Sequence, residues 1–238
     1  FCRRSEITDN RNMWSFISAI YYILRFERSH PSTLTFTFAG KEIGIEYLIM
    51  GDVANHNADG TWTVYYPSEI DYLRDYFAYD ALEKLFYYCD KYDIKLYLGM
   101  GLDTAWNSDI ASAEGRAANR EYMRKCNEIT TELYNKYKSR YPDTYYGFYF
   151  VTELYNTIYM DTDTGIDAYA EGLDEMFTMV IDNCNKLNPD MPLLFSPYVN
   201  IFGYGYASIN SDRFTEYYTE VLRSEERRVG KECWCSCR

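Results

Sequence analysis

Four apolar segments recur along the chain at nearly equal intervals, and this spacing constrains the fold more than any other feature. They are Ile43–Met50, Ile94–Met100, Tyr146–Val151 and Leu193–Ser196. Ile45 to Leu96 is 51 residues, Leu96 to Phe148 is 52, and Phe148 to Leu194 is 46. Each segment is short and almost wholly apolar, as expected of strands buried on both faces of a parallel sheet. Helical patterns separate them, and strand–helix alternation predicts an α/β fold. Eight such units need about 400 residues, the upper range of a β/α barrel. The 238 residues present hold four or five. The expected architecture is therefore a partial (β/α)8 TIM barrel over residues 41–223.

The segments between the strands carry their own start and stop signals. After the first strand, Asp59-Gly60 suits a hairpin turn leading into Thr61–Tyr66. Asp80 and Glu83 have the spacing of a capping box, ahead of a helix face formed by Leu82, Leu85, Phe86 and Cys89. Ser112 precedes a longer helix with Tyr122, Cys126, Ile129, Leu133 and Tyr137 on one face. Asp167 is the expected cap of a third helix. Its inward face is Leu173, Met176, Phe177, Val180, Ile181, Cys184 and Leu187, and Pro189 marks its end. Phe214, Tyr217, Tyr218, Val221 and Leu222 mark a last helix.

Composition narrows the function. A net charge of −12 repels phosphate backbones and argues against nucleic-acid binding. No segment reaches the ~18 apolar residues of a membrane span. The chain holds 27 tyrosines among its aromatic residues. Tyrosine stacks on sugar rings while its hydroxyl forms hydrogen bonds, which suits a carbohydrate surface and equally suits a tyrosine-rich core. Cys89, Cys126 and Cys184 fall on apolar helix faces and read as small hydrophobes. Cys2, Cys233, Cys235 and Cys237 show neither a disulfide framework nor the spacing of a zinc site.

Where a barrel strand ends, chemistry begins, because the carboxyl ends of the strands build the active site. Glu153 stands just past the strand Tyr146–Val151 and is the catalytic candidate; a carboxylate bonded to the next loop or capping a helix is the alternative. Tyr149 and Tyr155 flank it and would lower the local polarity, raising its pKa towards that of a working acid. Asp52 and Asn55 follow the first of these strands, Asp103 and Trp106 the second, Tyr155 and Asn156 the third, and Ser196 and Tyr198 the last. Together they suit a sugar cleft lined by carboxylates, amides and aromatic faces. Asp103 is the nearest partner carboxylate for Glu153. No cofactor or metal is called for. Gly99–Thr104 and Gly203–Ser208 lack the third glycine of a dinucleotide loop. Asn55–Gly60 and Asp161–Gly165 imitate calcium loops without the required acids and read as solvated turns. His30 and His56 are the only histidines, and neither lies in a hydrolase motif.

Five ordered motifs carry a family resemblance: Gly44-Ile-Glu-Tyr-Leu-Ile, Tyr66-Pro-Ser-Glu-Ile, Leu96-Tyr-Leu-Gly-Met-Gly-Leu, Gly147-Phe-Tyr-Phe-Val-Thr-Glu and Leu194-Phe-Ser-Pro-Tyr. Over about Lys41–Leu222 the chain resembles the bacterial domain of unknown function 4434, a glycoside-hydrolase-like TIM barrel found mostly in secreted proteins. The resemblance implies that the four apolar segments are barrel strands two to five. It also implies a carbohydrate substrate and a secreted or cell-surface location. In the large retaining glycosidase clan the fourth strand ends in Asn-Glu, the Glu being the general acid/base. Glu153 matches that Glu, and Thr152 stands where the Asn would bind the sugar. The clan's nucleophile belongs to a seventh strand beyond this sequence. Two functions follow: a glycoside hydrolase with Glu153 as proton donor, or a non-catalytic glycan-binding barrel.

The ends of the chain differ from its middle. Ser224–Arg238 changes composition abruptly and resembles translated adapter or vector sequence, so it is left out of the fold expectation. Residues 1–40 include a possible strand at Leu34–Phe38. Too few residues separate it from Ile43 for a parallel crossover, so it either pairs antiparallel or lies out of frame.

Overall fold

A computed structural model describes residues 45–195 apart from 52, 58, 102–108 and 153–162, and the side chains of 163–166 are also left aside. Four strands form the main sheet: β1 (Tyr47–Met50), β5 (Lys95–Gly99), β6 (Tyr145–Phe150) and β7 (Leu193–Phe195). They lie side by side in chain order, and every pairing is parallel. A doubly wound sheet reverses its order at a switch point, whereas this order winds in one direction, as a β/α barrel does. The chain is α/β, and these strands form an arc of a TIM-type barrel.

Three helices connect the arc: α1 (Ala81–Lys91), α2 (Ala113–Tyr137) and α3 (Asp163–Leu187). Asp80 caps α1 by accepting a 2.8 Å hydrogen bond from the Glu83 N–H, and Leu82, Leu85, Phe86 and Cys89 are buried. This cap satisfies one of the four N–H groups that a helix start leaves unpaired. Asp93 turns the chain out of α1 with a φ of 52°, the left-handed conformation that aspartate tolerates better than most residues. Ser112 caps α2 through a 3.0 Å bond from the Gly115 N–H, and the expected face from Tyr122 to Tyr137 is buried. In α3 the expectation needs correction. The helix begins at Asp163, so Asp167 is exposed inside it and is not its cap. An acid near a helix start is stabilised by the helix dipole without capping, which gives it the same sequence signature as a cap. The inward face of α3 is as expected from Leu173 to Cys184, with Leu187 half-buried. The expected strand at Leu34–Phe38 and the last helix lie outside the described residues.

Apolar burial joins the sheet to its helices. Leu48, Met50, Leu96, Leu98, Phe148 and Phe150 are all buried. Tyr145 packs on Phe86 of α1, Phe148 on Tyr134 of α2, and Phe150 on Phe177 of α3. The opposite face of the sheet, the barrel interior, begins with three tyrosines. Tyr146 meets Tyr47 and Tyr97 edge-on, at 5.4 Å between ring centroids in each case. A bulge makes this possible: Leu96 pairs with Tyr145, but Tyr97 pairs with Gly147, so Tyr146 is an extra residue on β6. The Tyr97 ring occupies the place where a Cβ on Gly147 would stand, which requires glycine there.

The expected hairpin grows into a second sheet. β2 (Ala54–His56) pairs antiparallel with β3 (Trp62–Val64), and β4 (Leu73–Asp75) adds in parallel to β3. Gly60 turns the hairpin with a φ of 81°. Asp59 closes the turn, accepting from the Thr61 N–H at 3.0 Å and the Thr61 hydroxyl at 2.6 Å. The Thr61 hydroxyl holds the Asp59 carboxyl below its usual range. This is the solvated turn expected of Asn55–Gly60.

Candidate functional site

The carboxyl ends of the parallel strands come together at Gly51, Gly99–Gly101 and Val151–Thr152. Gly99 is the pivot of this end. The Gly51 carbonyl stands where a Gly99 side chain would start, and the Val151 Cγ1 lies 2.8 Å from the same point. Any larger residue at position 99 would separate β1 from β5. The Met100 N–H donates to the Tyr149 carbonyl at 3.0 Å, tying the end of β5 to β6. Gly101 then leaves the strand with a φ of 98°, and its carbonyl accepts a 3.4 Å bond from the Tyr122 hydroxyl of α2.

The small sheet supports this end from one side. Trp62 of β3 is buried, stacks on Tyr122 at 6.3 Å, and has a ring carbon 3.9 Å from the Cβ position of Gly101. His56 lies tilted against Trp62, with 5.4 Å between ring centroids. The Lys125 ammonium sits 5.7 Å from the Trp62 ring and 5.5 Å from that of Tyr72. Lower down, Glu132 of α2 holds the loop after β3. Its carboxylate accepts from the Tyr66 hydroxyl at 2.7 Å, the Ser68 hydroxyl at 2.7 Å and the Glu69 N–H at 2.6 Å. Lys136 donates to the Pro67 carbonyl at 2.7 Å, and Tyr72 donates to Glu128 at 2.6 Å. Burial, reinforced by the bonds to Glu132 and Glu128, pushes the Tyr66 and Tyr72 phenols well above their usual range.

Of the residues expected at the site, Asn55 alone is among those described. It lies on β2, in the small sheet, and its amide nitrogen donates to the Tyr65 hydroxyl at 2.6 Å. Glu153, Asp52, Asp103, Trp106, Tyr155, Asn156, Ser196 and Tyr198 lie outside the described residues. Four of them are nonetheless sequence neighbours of the strand ends: Asp52 follows Gly51, Asp103 follows Gly101 by two, Glu153 follows Thr152, and Ser196 follows Phe195. Thr152 is 5% exposed, and its hydroxyl has no hydrogen-bond partner. Sequence reasoning singled out Thr152 only as a departure from a pattern; its unpaired burial appears only in three dimensions. Glu132 was missed altogether, since its partners stand more than sixty residues away in the chain. Among the described residues no group of three or more His, Cys, Asp or Glu could hold a metal ion. No described helix is long and apolar enough to cross a membrane.

With this geometry in view, the comparisons with known proteins bear on the family and the fold. The sequence model of the domain of unknown function DUF4434 matches residues 38–230. The chain belongs to the DUF4434 family. Curated protein sequences give no match. Among solved structures, this DUF4434 chain is similar to a candidate alpha-L-fucosidase from Bacteroides thetaiotaomicron VPI-5482. The TM-score is 0.54 and the identity 18%, with 84% of this chain and 61% of that one covered. A GH29 alpha-L-fucosidase from Bacteroides thetaiotaomicron also matches, with a TM-score of 0.43 and 17% identity over 76% of this chain and 38% of that one. The chain thus spans about three-fifths of the first structure it matches. At this identity the first likeness shows the fold: the DUF4434 chain has a glycoside-hydrolase-like barrel architecture.

Proposed function

We propose that this chain supplies the acid/base half of a glycoside hydrolase, with Glu153 as the proton donor to the departing sugar oxygen. The observation that carries the reading is the position of β6. It is an inner strand of a singly wound parallel sheet, paired on both sides, and Glu153 comes two residues after its neighbour Val151. Catalytic groups of such barrels stand at the carboxyl ends of their strands. The likeness to a candidate fucosidase supports a carbohydrate substrate. Asp52, Asn55, Asp103, Trp106, Tyr155, Asn156, Ser196 and Tyr198 are the proposed substrate contacts, and the family resemblance favours secretion or display at the cell surface.

The mechanism asks little of this part of the chain beyond one transferable proton. Glycoside hydrolysis needs a second carboxylate about 5–9 Å from the acid, as nucleophile or as base for water. Asp103 is the candidate within this sequence, and a later strand is the other source.

The test is Glu153→Gln in the complete gene product, assayed against unactivated oligosaccharides and 4-nitrophenyl glycosides, the alpha-L-fucoside included. Glutamine keeps the shape and loses the proton, so turnover of the unactivated substrate is expected to fall by roughly 10²–10⁴. Equal turnover by mutant and wild type would exclude Glu153 as the acid. A wild type that binds a glycan and hydrolyses none would identify a binding barrel instead.

A further inference from the structure

The segment after β5 carries Asp103 and Trp106 and ends in a turn at 109–112, where the Ser112 N–H donates to the Asp109 carbonyl at 3.2 Å. Two helices enclose this turn. On one side it leads directly into α2. On the other it meets α3, the helix that follows the segment bearing Glu153. Ile110, inside the turn, is completely buried.

Two glycines make the fit possible. A Cβ on Gly172 of α3 would stand 2.4 Å from the Ile110 carbonyl oxygen and 3.1 Å from the Ile110 carbonyl carbon. A Cβ on Gly115 of α2 would stand 1.8 Å from the Asp109 carbonyl oxygen. Both obstacles are backbone, which cannot swing aside as the end of a side chain can. Gly172 lies well inside α3, where glycine is the least favourable residue after proline, so its presence there has a packing reason. A third tie is polar. Arg116 Nη1 donates to the Ala111 carbonyl at 3.1 Å and stands 4.0 Å from Glu171, the neighbour of Gly172. The carbonyls of residues 109, 110 and 111 therefore each meet α2 or α3. The near end of the same segment is also held, by the bond from the Tyr122 hydroxyl to the Gly101 carbonyl.

We propose that Gly172 is a positioning residue for the site. By seating the Ile110 carbonyl it joins the segment after β5 to the helix after β6, so that Asp103 and Trp106 are carried in one frame with Glu153. Glycoside hydrolysis depends on the spacing of groups from different strands, and a displacement of about 1 Å can cost about 10²-fold in rate. Gly172 itself touches no substrate and acts through the Ile110 carbonyl. This rests on the hydrolase reading above and deepens it.

Gly172→Ala in the complete gene product tests the proposal, with Val180→Ala as its control. Val180 is fully buried further along the same helix, so its truncation lowers the melting temperature without pressing on the turn. Rates are measured well below both melting temperatures, where a purely structural loss leaves the folded enzyme's kcat/KM unchanged. Gly172→Ala is expected to lower kcat/KM about 10- to 100-fold on the panel glycoside that wild type hydrolyses best, and Val180→Ala to leave it nearly unchanged. Hydrogen exchange, read without any substrate, is expected to quicken over 109–116 in Gly172→Ala while β5 and β6 keep their protection. Should Gly172→Ala fail to fold, Gly115→Ala, which presses on the same turn from α2, decides by the same readings. Unchanged exchange over 109–116 overturns the joint. Quickened exchange with unchanged kcat/KM, or an equal loss of kcat/KM in Val180→Ala, overturns the positioning role. A wild type that hydrolyses no member of the panel overturns the hydrolase reading and the role within it, whatever the exchange shows.

Discussion

The four-stranded sheet meets its helices through rings and aliphatic chains, whereas the loop that joins β3 to β4 in the three-stranded sheet meets α2 largely through carboxylates. Phe148, Phe150, Leu96 and Leu98 represent the first kind of contact. Glu132, with its three donors from residues 66–69, and Glu128, with Tyr72, represent the second. Burial of apolar area is non-directional and tolerates modest shifts, while a carboxylate shared by three donors fixes position and direction together. The barrel arc is therefore built for stability, and the seating of the small sheet for placement. That placement matters because Trp62 of the small sheet packs beside Gly101, where the chain leaves β5 towards Asp103.

Substitution should separate the two kinds of contact. The largest effect is expected in the arc: Phe148→Ala should cost about 3–5 kcal/mol of unfolding free energy, read from denaturant melts, because a fully buried ring leaves a cavity. A cost below about 1 kcal/mol would show that the arc is not the stable part. Next comes Glu132→Ala, which leaves the Tyr66 and Ser68 hydroxyls and the Glu69 N–H without their acceptor. The expected loss is about 2–3 kcal/mol, concentrated in the small sheet. Hydrogen exchange should quicken across 66–70 while β5 and β6 keep their protection; uniform quickening would refute the distinction.

Alkaline pH acts on both regions through their phenols. Burial raises Tyr97 to about 12, and it raises Tyr66, Tyr137 and Tyr145 further, from a usual value of 10.0. A folded-state pKa above the unfolded one means that the folded protein holds the proton more tightly. The contribution is complete below about pH 10 and is lost as pH rises through the raised values. The melting temperature should therefore hold up to pH 10 and fall steeply above it; a flat profile to pH 12 would contradict the burial. The smallest effect is expected from Tyr145→Phe. The Tyr145 hydroxyl is buried without a partner, so its removal should gain about 1 kcal/mol, visible as a small rise in melting temperature.

What could be read from the sequence was local. The strands showed because they are apolar runs. The starts of α1 and α2 showed because Asp80 and Ser112 bond to N–H groups three residues away. The start of α3 was misplaced by one turn because Asp163 and Asp167 carry the same local signal. β4 has three residues and no pattern of its own; it becomes a strand only by lying beside β3. The bonds of Glu132 and the burial of Thr152 are relations between distant parts of the chain. At the site, Glu153 stood out because a strand ended just before it. Asn55 was placed by the same rule on the cleft rim; what the sequence did not show is that it lies on β2 of the second sheet and donates to the Tyr65 hydroxyl.

The extra residue in β6 has a consequence for how relatives of this chain should be compared. Side chains along a strand alternate, so an inserted residue would exchange the sides of everything downstream if the pairing stayed regular. The bulge absorbs it: Tyr146 and Gly147 together stand opposite Tyr97, and Phe148 still pairs with Leu98. A related sequence one residue shorter between Tyr141 and Phe148 would pair regularly with β5, keep Phe148 and Phe150 towards the helices, and lose only the third ring of the tyrosine cluster. An alignment gap of one residue there changes a single ring and not the lining of the barrel. Pairing with β5, more than length before Phe148, is the character to follow through the family.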